Sequence, residues 1–204
     1  MLWGIPEWVI LFAELQAIAT ARRLGAIVSA TDVRPVAKEQ VQSLGASFVM
    51  VESEETRQAE TAGGYAKEMS DDFKRKQAKL VAETLVKQDI IITTALIPGR
   101  PAPLLITEDM VSSMKAGSVI VDLAAPQGGN CALTKADEIV QVRGVKIIGF
   151  SNISSRIATD SSALYSRNLM NLVTLIVNAE ERLSLNTEDE IIKATLLTKD
   201  GKLS

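Results

Sequence analysis

A carboxylate at the end of an apolar, β-branched segment can do defined chemistry, and Asp32 closes such a segment, AIVSATD (residues 26–32). In a parallel sheet, an acid at the C-terminal end of the second strand accepts two hydrogen bonds from the ribose hydroxyls of a dinucleotide. It also repels a 2′-phosphate, which favours NAD over NADP. The rival reading is a surface aspartate that caps the helix opened by Pro35. Ala95 and Leu96 close DIIITTAL (89–96), the most apolar strand-sized run, and strand ends of this kind are where ligands sit in doubly wound sheets. Gly63, Gly64 and Tyr65 follow the polar stretch 52–62. They read either as part of a functional loop or as a tyrosine that only anchors one. Gln77 stands among Lys74, Arg75, Lys76 and Lys79, by spacing alone a solvated helix face. Gly128, Gly129 and Asn130 shape either a turn near the second strand end or a plain loop.

The sequence has no histidine and a single cysteine, Cys131. That excludes an intrachain disulfide, a zinc site of Cys/His type and every histidine-based acid/base scheme; Cys131 reads as a bystander. With 22 basic against 25 acidic residues, net charge −3, no electrostatic case exists for nucleic acid as a partner. The opening MLWGIPEWVILF has no basic leader. Pro6 and Glu7 interrupt it, and its apolar run falls far short of the roughly 20 residues that span a bilayer.

The elements that must position these residues alternate. LQAIATARRL (15–24) has helical spacing and stops at Gly25; the strand 26–32 follows. A helix from Pro35 stops at Gly45, and SFVMV (47–51) is the next strand. Short joints between helix and strand predict parallel βαβ winding. A charged helix over about 66–87, the strand 89–96, a proline-rich turn IPGRPAP, a short helix TEDMVSSM with an approximate capping box, and strands in KAGSVIVDLA and GVKIIGF continue the pattern. The last long helix spans 159–178. The tail NTEDEIIKATLLTKDGKLS reads as a strand with a KDG turn. The expected fold is α/β, a doubly wound parallel sheet of Rossmann type. Its dinucleotide-binding domain covers 15–158, and a connecting helix and strand over 159–204 would belong to a second lobe.

The front of the sequence departs from that plan. Between the first strand and the first helix, a G-x-G-x-x-G turn should bring the pyrophosphate to the helix N-terminus. Residues 9–14 read VILFAE instead, and a Phe and a carboxylate are sterically and electrostatically hostile there. Residues 1–14 are therefore expected to replace both first strand and glycine turn. If Trp8 to Ala13 does fill the strand slot, the fold survives without its phosphate site.

The segments LQAIATARRLGAIVSATDVRP, ETAGGYAKEMSDDFKRKQAKLVAE, ITTALIPGRPAPLLITEDMV, MKAGSVIVDLA with GGNC, and DEIIKATLLTKDG resemble the α subunit of the proton-translocating NAD(P) transhydrogenase, in its NAD(H)-binding domain. Alanine dehydrogenase shares the plan and a strand-turn like ALIPGRPAP, but not ETAGGYAKEM or the tail. In the transhydrogenase family the glycine turn reads GAGVAG just before LQAIATARRLG, the place of VILFAE here.

The resemblance implies direct hydride transfer from NADH held in this domain to NADP(H) held on a partner domain. The transfer is coupled to proton translocation and needs no catalytic acid or base, in keeping with the absence of histidine. It implies that Asp32, Val33 and Arg34 bind the adenosine ribose and that Gly64 and Tyr65 belong to a mobile loop closing on the nucleotide. Gln77 would contact it, and Ala95 and Leu96 would line the nicotinamide site. Implied partners are membrane-embedded and NADP-binding transhydrogenase domains or subunits and a second copy in a homodimer. The implied place is the cytoplasmic side of the inner membrane, peripheral to it through those partners. The family's preceding lobe has no counterpart in the sequence, so an N-terminally truncated, functionally impaired chain is expected. The alternatives are a non-catalytic remnant and an oxidoreductase piece like alanine dehydrogenase.

Overall fold

The structure, a computed structural model, describes residues 7–11, 15–32, 35–53, 70–97, 99–177, 180 and 182–203. The chain divides into two compact units, Met1–Ser151 and Asn152–Ser204.

In the first unit, β1 (Glu7–Leu11), β2 (Ile27–Thr31), β3 (Ser47–Phe48), β4 (Ile90–Thr93), β5 (Val119–Asp122), β6 (Ile139–Val142) and β7 (Val145–Ile148) form one sheet in the order β3-β2-β1-β4-β5-β7-β6. Helices α1 (Leu15–Arg23), α2 (Pro35–Ser43), α3 (Asp71–Leu85) and α4 (Glu108–Ser113) alternate with the strands. The order reverses between β1 and β4, the topological switch point of a doubly wound sheet. The expected α/β Rossmann-like class is therefore observed.

Of the outcomes the sequence left open for the first strand, the described residues show the slot filled by Glu7–Leu11. β1 is present and central, parallel to β2 through Glu7↔Ile27 to Leu11↔Thr31 and to β4 through Trp8↔Ile90 to Leu11↔Thr93. The physical reason lies in composition. EWVIL is apolar enough for a strand covered on both faces, and without it β2 and β4 would each present an unpaired row of backbone groups. Sequence reading also passed over β6, which pairs antiparallel with β7 through Val142↔Val145. Its turn residues Arg143 and Gly144 both have positive φ, 49° and 84°, as a two-residue type I′ hairpin requires. Arginine is a rare occupant of that conformation, so the turn gave little warning.

Two apolar clusters cover the sheet. Ile18 and Ala21 of α1, Val28 and Ala30 of β2 and Val41 of α2 form one. Val81 and Leu85 of α3, Ile91, Ile106, Val111, Ile120 and Ile147 form the larger one. The helices are capped as their sequences suggest: Ser70 Oγ accepts from the Phe73 amide at the start of α3, and Thr107 Oγ1 from the Met110 amide at the start of α4. Each such cap contributes on the order of 1 kcal/mol.

The second unit has a 3-10 turn (Ser154–Ile157), α5 (Ala158–Ile176), α6 (Glu190–Thr195) and the hairpin of β8 (Thr198–Lys199) with β9 (Lys202–Leu203). The tail is therefore only half strand. Asp189 accepts from the amides of Ile191 and Ile192 and starts a helix over EIIKAT, a local cap that outweighs the β-branched pair Ile191–Ile192. The expected KDG turn is present, with Asp200 and Gly201 at φ 53° and 75°.

Ile120 is fully buried at the centre of the larger cluster. Ile120→Ala is expected to destabilise the chain by about 2–5 kcal/mol in urea unfolding, whereas Leu24→Gln, at a position 71% exposed, should change stability by no more than about 0.5 kcal/mol.

Candidate functional site

Parallel register places four residues side by side at the C-terminal edge of the sheet. Thr31 pairs with Leu11, Leu11 with Thr93 and Thr93 with Asp122. The residues that could bind a ligand at the switch point are hung from this row.

On the β2 side, Asp32 follows Thr31 and is buried, at 1% exposed. That removes the reading of a surface aspartate. Gln77 of α3 reaches the same place. Its Nε2 donates to Thr31 Oγ1 at 3.0 Å and to the Val49 carbonyl at 3.4 Å, while its Oε1 accepts from the Val51 amide at 2.9 Å. It is half-buried, not part of a solvated face, because the charged neighbours occupy the other sides of the helix: Lys74, Arg75 and Lys76 pair with Asp71 and Asp72. Gln77 thus ties the acid-bearing end of β2 to the exit of β3. Val33, Arg34, Gly64 and Tyr65 lie outside the described residues, as do Phe12 to Glu14.

On the β4 side, Ala95 is buried and Leu96 and Ile97 are 49% and 42% exposed. The Ala95 amide donates to Asn130 Oδ1 at 3.0 Å, and Asn130 Nδ2 donates to the carbonyls of Ala95 at 2.9 Å and Pro103 at 2.8 Å. Asn130 is held in turn by Asp122. One oxygen of that carboxylate accepts from Thr93 Oγ1 and the Ala124 amide, both at 3.0 Å. The other accepts from the amides of Asn130 at 2.8 Å and Cys131 at 3.1 Å and from Thr134 Oγ1 at 2.6 Å. Both residues are 0% exposed, and a buried carboxylate is tolerable only when satisfied in this way. Between them the chain makes a 3-10 turn (Ala125–Gln127) and passes Gly128 and Gly129. Sequence reading weighed Asn130 but missed Asp122. The signal was available: VIVD ends in an acid as AIVSATD does.

Gly129 has φ 83°, and a Cβ there would lie 2.7 Å from an Asp122 oxygen and 2.8 Å from Thr134 Cβ. Cys131 beside it is buried, and burial pushes its thiol pKa up, which keeps it protonated and unreactive. Among the described residues no His, Cys, Asp and Glu cluster could hold a metal ion, and no helix is long and apolar enough to cross a membrane.

Residues 12–204 match the family described as "Alanine dehydrogenase/PNT, C-terminal domain". The chain belongs to this family. It is 54% identical over 203 residues to an NAD(P) transhydrogenase alpha subunit of Rhodospirillum rubrum, covering 97% of this chain and 53% of that one. The structure of transhydrogenase from Sinorhizobium meliloti superposes with a TM-score of 0.76 at 50% identity, covering 98% of this chain and 52% of that one. An alanine dehydrogenase of Halomonas elongata is 34% identical over 131 residues, covering 62% of this chain and 35% of that one. Identity is higher to the transhydrogenase α subunits than to the alanine dehydrogenases, as the motifs implied. It spans about half the length of the curated relatives it matches.

Two outcomes follow for the β5 loop. Gly129→Ala is expected to cost about 2–4 kcal/mol in urea unfolding, since it combines a clash with a left-handed backbone, whereas Gly128→Ala, with nothing within 4 Å, should cost about 1–2 kcal/mol. Cys131 should resist a disulfide-exchange thiol reagent in native buffer and react fully in denaturant. Because its pKa is raised in the folded state, its contribution to stability is present below the unfolded thiol pKa and fades as pH rises above it, readable as a falling urea midpoint at alkaline pH.

Proposed function

We propose that this chain is the NAD(H)-binding component of an NAD(P) transhydrogenase. The observation that carries the reading is the pairing of two strand ends on either side of the switch point. Asp32 follows β2 and the Asn130-held Ala95 follows β4, with β1 alone between them, in a chain 54% identical to a transhydrogenase α subunit. Two strand spacings of about 4.8 Å separate β2 from β4, so an extended dinucleotide would straddle β1.

The residues fit the two ends of such a ligand. Asp32 would accept the adenosine ribose hydroxyls, with Val33 and Arg34 beside it. The half-exposed Leu96, with Ile97, would offer an apolar wall to a nicotinamide ring, and Ala95 would supply fixed backbone. Gly64 and Tyr65 would close over the nucleotide, and Gln77 would contact it or hold the strand ends that do. The middle fits less well, since Phe12, Ala13 and Glu14 stand in sequence where glycines would admit the pyrophosphate. When bound, the reduced nicotinamide supplies the hydride. The chain's own contribution is orientation and exclusion of water, for which no acid or base is needed. The acceptor NADP(H) would sit on a partner domain, and proton translocation would occur in membrane-embedded transhydrogenase domains or subunits. The chain would lie on the cytoplasmic side of the inner membrane and pair with a second copy. The Phe12 to Glu14 segment supports a second reading, a member that has lost nucleotide binding.

Titration with NADH, followed by nicotinamide fluorescence, separates the two. The proposal expects saturable binding in the micromolar to tens of micromolar range, and Asp32→Asn should weaken it about 10- to 100-fold by removing a charge-assisted acceptor while narrowing the preference over NADPH. No binding at millimolar NADH would leave the second reading standing.

A further inference from the structure

β4 parts from β5 early. On its β5 side the last paired residues are Thr93 and Asp122, followed only by the Leu123 amide donating to the Thr93 carbonyl at 2.9 Å. Beyond that point β5 turns away into the 3-10 turn (Ala125–Gln127). Thr94 to Ile97 continue past the last residue that β4 pairs with β5. The side chain of Asn130 takes the place of the departed strand. A carboxamide is a peptide analogue with one acceptor and two donors, and here it exchanges both bonds with a single residue, Ala95. That is the pattern of a hydrogen-bonded pair in an antiparallel ladder. Its second donor anchors the Pro103 carbonyl beyond the proline-rich turn. The backbone of Asn130 is fixed by Asp122 on one side and, through its own carbonyl, by the amides of Leu105 and Ile106 at 2.8 and 3.0 Å on the other.

We propose that Asn130, locked by Asp122, is a positioning residue for the nicotinamide half of the site. It holds the overrun of β4 so that Leu96 and Ile97 stay in place as the apolar wall. Two features favour this over a purely structural role. The clamp grips the one buried residue of the overrun, and the residues immediately after it are large, apolar and exposed, a combination that a ligand explains and packing does not. The clamp also sits on one side of the switch point only. Its bonds run to Thr93, Ala95, Pro103, Leu105 and Ile106 and to the loop after β5, so it should govern one end of a dinucleotide and leave the other alone.

The inference rests on the nucleotide reading above, and its test keeps the two apart by comparing NADH with ADP-ribose, which carries the same adenosine and pyrophosphate but no nicotinamide. Asn130→Asp keeps the shape and removes both donors. In the full chain it is expected to weaken NADH binding at least tenfold, to lower the fluorescence change of the bound nicotinamide, and to leave ADP-ribose affinity within twofold of the parent. If Asn130→Asp does not fold, Thr134→Val removes one of the bonds to Asp122 at a half-buried position and should give the same selective loss at about two- to fivefold. Equal weakening of both ligands, or no weakening of either, would overturn the positioning role while leaving the nucleotide reading intact. A parent chain that binds neither ligand would overturn the reading and the inference together.

Discussion

The sheet depends on β1. It is paired in parallel to β2 and β4, which both carry candidate site residues just beyond their ends. Removing it would separate β2 from β4 and dissolve the register that sets Thr31, Leu11, Thr93 and Asp122 in one row. Parallel strands cannot be closed by local hairpins, so this row exists only because crossovers bring β2 and β4 to either side of β1 and β5 to the far side of β4. The two ends of the candidate site are therefore coupled through the backbone hydrogen bonds of β1.

Around that frame the two ends are stabilised by different means. At the β2 end a helix side chain, Gln77, reaches across to Thr31, Val49 and Val51. At the β4 end a buried carboxylate gathers the Thr93 hydroxyl of β4 together with amides and a hydroxyl from one loop. Each solution answers the same problem. Strand ends leave polar backbone groups that must be paired when water is excluded, and an unpaired buried group costs about 1–3 kcal/mol.

Family membership fits this picture without completing it. The chain spans about half the length of its transhydrogenase relatives, and a hydride-transfer reaction between two nucleotides needs a second nucleotide domain. What the described residues contain is a parallel sheet with a buried acid after one strand end and exposed apolar residues after another.

Much was legible in advance. Element types and order followed from hydrophobic periodicity, from Gly25 and Gly45 as helix stops, and from β-branched runs of strand length, because these are local properties of the chain. Asp32, Ala95 and Leu96 stood out because strand ends can be found by counting. The presence of β1 was harder to read, since a missing glycine turn says nothing about whether the preceding strand forms; pairing on both sides decides that. Gln77 looked solvated because its neighbours are lysines and an arginine, and only the packing of α3 across the end of β2 turns that one position inward. Asp122 and Asn130 are eight residues apart in a turn with little pattern of its own, so their grip on Ala95, 35 residues before Asn130, exists only in three dimensions. Sequence alone determined the α/β alternation, the absence of histidine chemistry and the acid at the end of the second strand; tertiary structure decided which polar side chains are buried and what they hold, because burial is set by neighbours distant in the chain.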